Sequence, residues 1–167
     1  MERMNPLPSL SVIIPTMNEA ERLPLLLADL KRWPIPLEIL VIDSASSDST
    51  CLIAELAGAK TMQAGQSNRG LQLNLGASLS SGEWLLFLHA DSRLSSNWPK
   101  ILEGAMKNSC EESEVRFFEF KVNKKGLNMR FMELLVFMRS NWLKRPYGDQ
   151  GLLISKSLYI SIGGFQC

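Results

Sequence analysis

The chain has 167 residues, a formal net charge of +1, 46% hydrophobic residues and 21% charged residues, a globular composition of single-domain size. The near-neutral balance excludes a strongly basic nucleic-acid binder and an acidic tail, so no nucleic-acid partner is expected. No apolar run reaches the about 20 residues of a transmembrane helix, and Met1–Pro8 carries no secretory apolar region, so the expected location is cytoplasmic. Leu10–Ile14 is a β-branched apolar run that reads as a buried strand ending at Pro15. Leu23, Leu26, Leu27 and Leu30 then recur at helical spacing up to Trp33, with Pro24 in the first turn, where its missing N–H costs nothing. Leu37–Ile42 is a second strand. Ser47, Asp48 and Ser49 offer caps for a short helix that stops at Gly58. Lys60–Gln63 reads as a third strand, Asn68–Ser80 as a helix and Glu83–Leu88 as a fourth strand.

Such strand–helix alternation argues for an α/β fold with a mostly parallel central sheet covered by helices on both faces. The near-continuous apolar strands agree, because parallel strands are buried on both sides. Past Asp91 the pattern changes. Trp98–Lys107 is helical, Val115–Val122 alternates like an antiparallel strand, Leu127–Leu143 is a long helix and Gly151–Ile154 a last short strand. Without repeats or linkers, residues 1–167 read as one domain. Leu127–Arg145 mixes Met, Phe, Trp and Leu with Arg130, Arg139, Lys144 and Arg145. A core helix or a homodimer face suits that pattern, and so does an interfacial helix giving peripheral membrane contact. Cys51, Cys110 and Cys167 are far apart and form no CxxC or Cys/His zinc spacing, which suits a reducing compartment. One histidine leaves no multi-histidine metal site.

In an open α/β sheet, ligands bind beyond the carboxyl ends of the strands. The residues following each strand are therefore the candidates: Pro15, Thr16, Asn18 and Glu19 after the first, Asp43 after the second, His89 and Asp91 after the fourth. Neither GxGxxG nor GxxxxGK[ST] occurs, which removes the usual dinucleotide and P-loop readings. Asp43 suits acceptance of hydrogen bonds from a nucleotide base or ribose, and equally a local cap on the Ser-rich turn that follows. His89-Ala90-Asp91 sets two potential ligands for Mn²⁺ or Mg²⁺ at a strand end; the alternative is a histidine bonded to a turn-capping aspartate. Arg69 opens a helix, where a cation and helix N–H groups together favour phosphate, or it is a solvated surface arginine. Gln72 and Asn74 suit hydrogen bonds to a nucleotide or acceptor, or simply the polar face of their helix. A nucleotidyltransferase would need a basic loop after the first strand, and Pro15–Glu21 holds neither Gly nor Lys.

Taken together, Ser11–Glu19 (SVIIPTMNE), Val41–Thr50 (VIDSASSDST) and Leu86–Asp91 (LFLHAD) resemble family 2 glycosyltransferases of the GT-A fold. Ser67–Asn74 (SNRGLQLN) and Gly148–Gly151 (GDQG) resemble the small bacterial branch described as selenodomain-associated transferases, over Ser9–Phe165. The resemblance implies inverting transfer of a sugar from a nucleotide diphosphate sugar donor to an acceptor, whether glycan, lipid or small molecule. It implies nucleotide-binding roles for Pro15, Thr16, Asn18, Glu19 and Asp43. It puts Asp91 at the second Asp of the metal- and diphosphate-binding DxD motif, with His89 in place of the first. In the family a Gly-Gly-Phe segment precedes a Glu-Asp pair that carries the general base. Here Gly163-Gly164-Phe165 is followed only by Gln166 and Cys167, so the resemblance implies a C-terminally truncated domain, with Asp149 as the motif-matched carboxylate in the acceptor half and either poor turnover or donor binding alone.

Overall fold

A computed structural model describes residues 8–65, 68–107, 116–117 and 151–165 of the chain. Six strands form one sheet: β1 (Leu10–Thr16), β2 (Glu38–Asp43), β3 (Lys60–Gln63), β4 (Trp84–Phe87), β5 (Arg116–Phe117) and β6 (Leu152–Ser155). Their spatial order is β3-β2-β1-β4-β6-β5. β1 pairs in parallel with β2 and β4, and β2 with β3, while β6 runs antiparallel to both β4 and β5. The helices are α1 (Leu23–Leu30), α2 (Thr50–Leu56), α3 (Arg69–Leu79), α4 (Trp98–Lys107) and α5 (Lys156–Ser161). The predicted α/β class and the mostly parallel sheet are thus observed. The predicted helix over Leu127–Leu143 and the rest of the strand over Val115–Val122 lie outside the described residues.

Period-two alternation divides the core into two layers. Val12, Ile14 and Val41 point to one face and pack with Leu23, Leu26, Leu27 and Leu30 of α1, Ala54 of α2, and Trp98, Leu102 and Met106 of α4. Ile13, Leu40, Ile42, Leu85 and Phe87 point to the other, with Ala77 of α3 and Tyr159 of α5. The first residue before α1, Arg22, makes no side-chain cap bond. A missing cap costs about 1 kcal/mol, whereas each buried leucine contributes about 1.5–3 kcal/mol, so packing decides that this helix forms. On the opposite face α3 lies close to the sheet. A Cβ at Gly76 would overlap Ile13 Cγ2 and sit 3.1 Å from Ile42 Cγ1, so only glycine permits this approach.

One boundary differs from the sequence reading. The chain does not leave the sheet at Pro15 but stays extended to Thr16, pairing Pro15 with Ile42 and Thr16 with Asp43. On its other side β1 pairs with β4 only as far as Ile13 opposite Phe87, with Leu88 N donating to Ile13 O at 3.0 Å. The N–H and C=O of one strand residue face the same neighbour, so an N–H at position 15 would point beyond the end of β4. The β1–β4 ladder therefore stops at Ile13–Phe87, where proline has no N–H to extend it. Among the described residues, no helix is long and apolar enough to cross a membrane.

Candidate functional site

Thr16, Asp43 and Gln63 are the last residues of β1, β2 and β3 and stand side by side in register. Their side chains share the face that carries α1 and α2. Asp43 is fully buried. Its Oδ1 accepts from Thr16 Oγ1 at 2.8 Å and Ser46 Oγ at 2.5 Å, and its Oδ2 from Ser46 N at 2.8 Å and Gln63 Nε2 at 3.3 Å. Burial pushes this carboxyl up, but the bonds from Ser46, Thr16 and Gln63 outweigh burial and hold it below the usual carboxylate range. From the opposite face, the buried Gln72 amide of α3 donates to Thr16 O at 3.1 Å and Ile42 O at 2.7 Å. That bond set fixes the ends of β1 and β2 together. Gln72 therefore spends its amide N–H groups on these carbonyls and is no part of a solvated helix face.

The loops after β1 and β2 are tied to each other across the site. Asn18 N donates to Ser46 Oγ at 2.7 Å, and Ser47 N to Asn18 Oδ1 at 2.8 Å. Glu19 N donates to Thr50 Oγ1 at 2.8 Å, and Ala20 N to Asp48 Oδ2 at 3.1 Å. Asp48 also accepts from Thr50 N at 3.0 Å and from the Thr50 hydroxyl. These bonds to Thr50 and Ala20 hold the Asp48 carboxyl below its ordinary range. Of the residues expected to cap α2, Ser49 makes no side-chain cap bond, whereas Asp48 accepts from Thr50 N at the start of the helix. Asn18 and Ala45 both take left-handed backbone conformations, with φ of 56° and 54°. Asn adopts this region readily, whereas Ala45 stores about 1–2 kcal/mol of strain, which only an over-determined site retains.

At the end of β4, His89-Ala90-Asp91-Ser92 forms a turn closed by Ser92 N donating to His89 O at 3.0 Å. Ala90 is buried, His89 half-buried and Asp91 exposed. Arg22 lies 3.2 Å from Glu19 Oε2. The Glu19 hydrogen bond and charge, and more weakly the Asp91 charge, raise the arginine's pKa. The segment beyond is fastened by Asp29 of α1. It accepts from Arg93 Nε at 2.8 Å and Leu94 N at 3.0 Å and pairs with Arg32 at 3.0 Å. Burial raises the Asp29 carboxyl, and Arg93, Leu94 and Arg32 together bring it below the usual range. Arg69 is the first residue of α3 and is exposed, and Asn68 caps that helix by accepting from Leu71 N at 3.2 Å.

The structure thus joins Thr16, Asn18 and Asp43 in one bonded network with Pro15 in the same strand, while Glu19 bonds Thr50 through its N–H and Arg22 through its carboxylate. It sets His89 and Asp91 at the next strand end and Arg69 at the start of the helix that follows β3. Asp149 lies outside the described residues. Sequence reasoning missed Gln63, whose only signal was its register with Asp43, and Asp29, a carboxylate on the buried side of α1. Asn74 serves another purpose than expected. Its Oδ1 accepts from Tyr159 Oη at 2.5 Å and Phe165 N at 3.0 Å, and its Nδ2 donates to Phe165 O at 2.8 Å. With Phe87, Tyr159 and Phe165 in mutual edge or tilted contact, it clasps the Gly163-Gly164-Phe165 segment onto α3. Gly164, at φ 71°, passes so close that a Cβ would lie 2.7 Å from Asn74 Oδ1.

The family described as Glycosyl transferase family 2 matches residues 11–163. The chain belongs to that family. Over 94 residues this family 2 chain is 38% identical to the 4,4'-diaponeurosporenoate glycosyltransferase of Staphylococcus haemolyticus, matching 52% of the chain and 25% of that protein. Among solved structures, S. aureus TarS 1-349 in complex with UDP-GlcNAc superposes with a TM-score of 0.71 at 21% identity, covering 92% of this chain and 47% of that one. The mannosyltransferase PcManGT from Pyrobaculum calidifontis, in complex with GDP-Man and Mn²⁺, gives a TM-score of 0.70 at 21% identity over 97% of this chain and 48% of that one. These likenesses give the GT-A fold. The chain spans about a quarter of the length of that curated relative and just under half of each solved chain.

Proposed function

We propose that the chain is the donor-binding part of an inverting glycosyltransferase that takes its sugar from a nucleotide diphosphate sugar. The observation that carries this reading is the in-register Thr16–Asp43 pair at the carboxyl ends of β1 and β2, inside a family match over residues 11–163. Asp43, bonded only to neutral donors among the described residues, offers its oxygens to a base N–H or a ribose O–H. Arg69 and the N–H groups at the start of α3 suit the diphosphate. The likeness to proteins solved with UDP-GlcNAc and with GDP-Man and Mn²⁺ supports a donor of this class. Ser67–Asn74 supports the selenodomain-associated branch.

The residues at the end of β4 fit a divalent ion. An exposed carboxylate and a half-buried imidazole two residues apart make two donors, and no group of three or more His, Cys, Asp or Glu forms a closed cage among the described residues. Two protein donors suit an ion whose other positions are filled by diphosphate oxygens and water. Asp91 and His89 would hold it, and the imidazole tilts the choice towards Mn²⁺. The ion's contribution is to neutralise the diphosphate leaving group. Asp149 is the carboxylate we assign to removing the acceptor hydroxyl's proton, a role typically worth ~10²–10⁴-fold.

Calorimetry with UDP and GDP, with and without Mn²⁺, tests the reading. Binding strengthened by the ion in the wild type, and indifferent to it in Asp91→Asn, is expected. An ion effect that survives in Asp91→Asn removes the metal assignment. Nucleotide release that needs an acceptor and is lost in Asp149→Asn supports that base; release indifferent to both leaves a donor-binding domain without turnover.

A further inference from the structure

Asp43 has no vacant acceptor position. A carboxylate offers about four lone-pair sites, and Thr16, the Ser46 hydroxyl, the Ser46 N–H and Gln63 fill them. Any ligand that bonds Asp43 must therefore displace one of these four donors. They are not equally displaceable. Thr16 is buried, and its bond is 2.8 Å long. Ser46 donates twice, once from its backbone, and its Oγ also accepts the Asn18 N–H that ties the two loops. Removing it would undo the loop crossing and release the strained Ala45 beside it. Gln63 differs on every count. It is exposed, at the end of a strand that pairs on one side only among the described residues, and its bond is the longest at 3.3 Å. Its other contacts are marginal as well: Ala45 N to Oε1 at 3.4 Å and Nε2 to Cys51 Sγ at 3.5 Å.

We propose that Gln63 is a placeholder: its amide N–H occupies on Asp43 Oδ2 the position that an N–H or O–H of the bound nucleotide takes over, and the side chain swings into solvent when the nucleotide enters. The proposal rests on reading the strand ends as a nucleotide site. It assigns Gln63 a specificity role with an unusual sign. A residue that contacts a ligand weakens binding when truncated, whereas a placeholder competes with the ligand, and its removal strengthens binding. Water still satisfies the swung-out amide, so the exchange costs little beyond the bond that Gln63 gives up.

The test compares UDP and GDP binding by calorimetry in wild type, Gln63→Leu and Gln63→Ala, using the whole chain and saturating Mn²⁺. Both variants should bind the better of the two nucleotides about fivefold more tightly, the equivalent of about 1 kcal/mol. Circular dichroism and thermal melting without nucleotide should show the wild-type fold, because the side chain is exposed. Gln63→Ala removes the amide without adding apolar bulk, so agreement between the variants excludes a new hydrophobic contact as the cause. Weaker binding in both variants would make Gln63 a ligand contact and overturn the placeholder role alone. Unchanged affinity would mean that Gln63 stays on Asp43 or contributes nothing there, with the same consequence. Binding of neither nucleotide to any of the three proteins would overturn the nucleotide-site reading and this inference with it.

Discussion

Strand β2 begins and ends with a carboxylate, and the two are held in opposite ways. Glu38, at the amino end, accepts from Ser11 Oγ at 2.5 Å, Ser81 N at 2.7 Å and Ser81 Oγ at 2.9 Å, and pairs with Lys60 Nζ at 2.8 Å. It thereby joins β1, β3 and the turn before β4, and its charge is answered by a cation. Asp43, at the carboxyl end, has only neutral donors around it among the described residues, and the backbone beside it is strained at Ala45. A carboxylate matched by a cation and its neighbours' hydroxyls acts as a fastening. One held by neutral donors keeps its full charge and can exchange a donor for a ligand's. The polar groups at both ends are well bonded; what separates fastening from site is which partners can leave.

The largest effect should come from the fastening. Burial raises the Glu38 carboxyl, and the bonds from Lys60, Ser11 and Ser81 overcome burial and bring it down to about 2 from an ordinary 4.5. A depressed folded pKa gives stability that is present above pH 4.5 and is lost as the pH falls towards 2. Across that window the linkage is about 3 kcal/mol. Urea denaturation of Glu38→Ala should show that loss at pH 7 and almost none at pH 2, while UDP affinity at pH 7 stays at the wild-type value. A variant as destabilised at pH 2 as at pH 7 would show that packing, not charge, holds this end.

Asp43→Asn should invert that pattern. The amide turns its nitrogen towards the Thr16 and Ser46 hydroxyls and keeps one neutral oxygen for Ser46 N and Gln63, so the charge and an acceptor are lost and nucleotide affinity should fall by at least about 30-fold, about 2 kcal/mol. Stability should drop less than in Glu38→Ala. Equal losses of stability in the two variants would erase the distinction between the ends.

Gly76→Ala acts on the link between the helix and the site. The new methyl must push Ile13 aside, which costs about 1–2 kcal/mol by overpacking. It should also lift α3 enough to stretch the Gln72 bonds to Thr16 O and Ile42 O. The melting temperature and nucleotide affinity should then fall together, whereas Glu38→Ala lowers only the first. The smallest effect belongs to Ala45→Gly. Relief of the left-handed strain exceeds the entropy glycine adds to the unfolded chain, for a net gain of about 0.5 kcal/mol. A lower melting temperature would mean that the Ala45 conformation carries no strain.

Much of this fold was legible because its signals are local. Val12–Ile14 and Leu85–Phe87 announce buried strands by composition, and the leucines of α1 by their spacing. The helix over Trp98–Lys107 and the strand over Lys60–Gln63 have the ends their residues suggest. The backbone path past Pro15 was misread because proline's cost depends on which neighbour the missing N–H would have faced, and a single strand does not carry that information. At the site, Asp43, Asn18 and Asp91 stood out as polar residues directly behind apolar runs. Gln63 and Asp29 did not, and Asn74 stood out without its partner, because the partners lie 20, 64 and 91 residues away in the chain. A hydrogen bond of that span leaves no periodicity to detect.

Pro15 has a further consequence for the crevice between β1 and β4. The neighbours of β1 reverse sequence order here, with β2 on one side and β4 on the other, and such a junction is where an open α/β sheet leaves room for a guest. A wall lined with ordinary residues would present an N–H at this point. That hydrogen would need water, or would invite another strand to zip the gap shut. The pyrrolidine ring presents carbon instead. The opening is thus kept by an omission: with no donor to be answered, neither solvent nor chain is recruited to seal it.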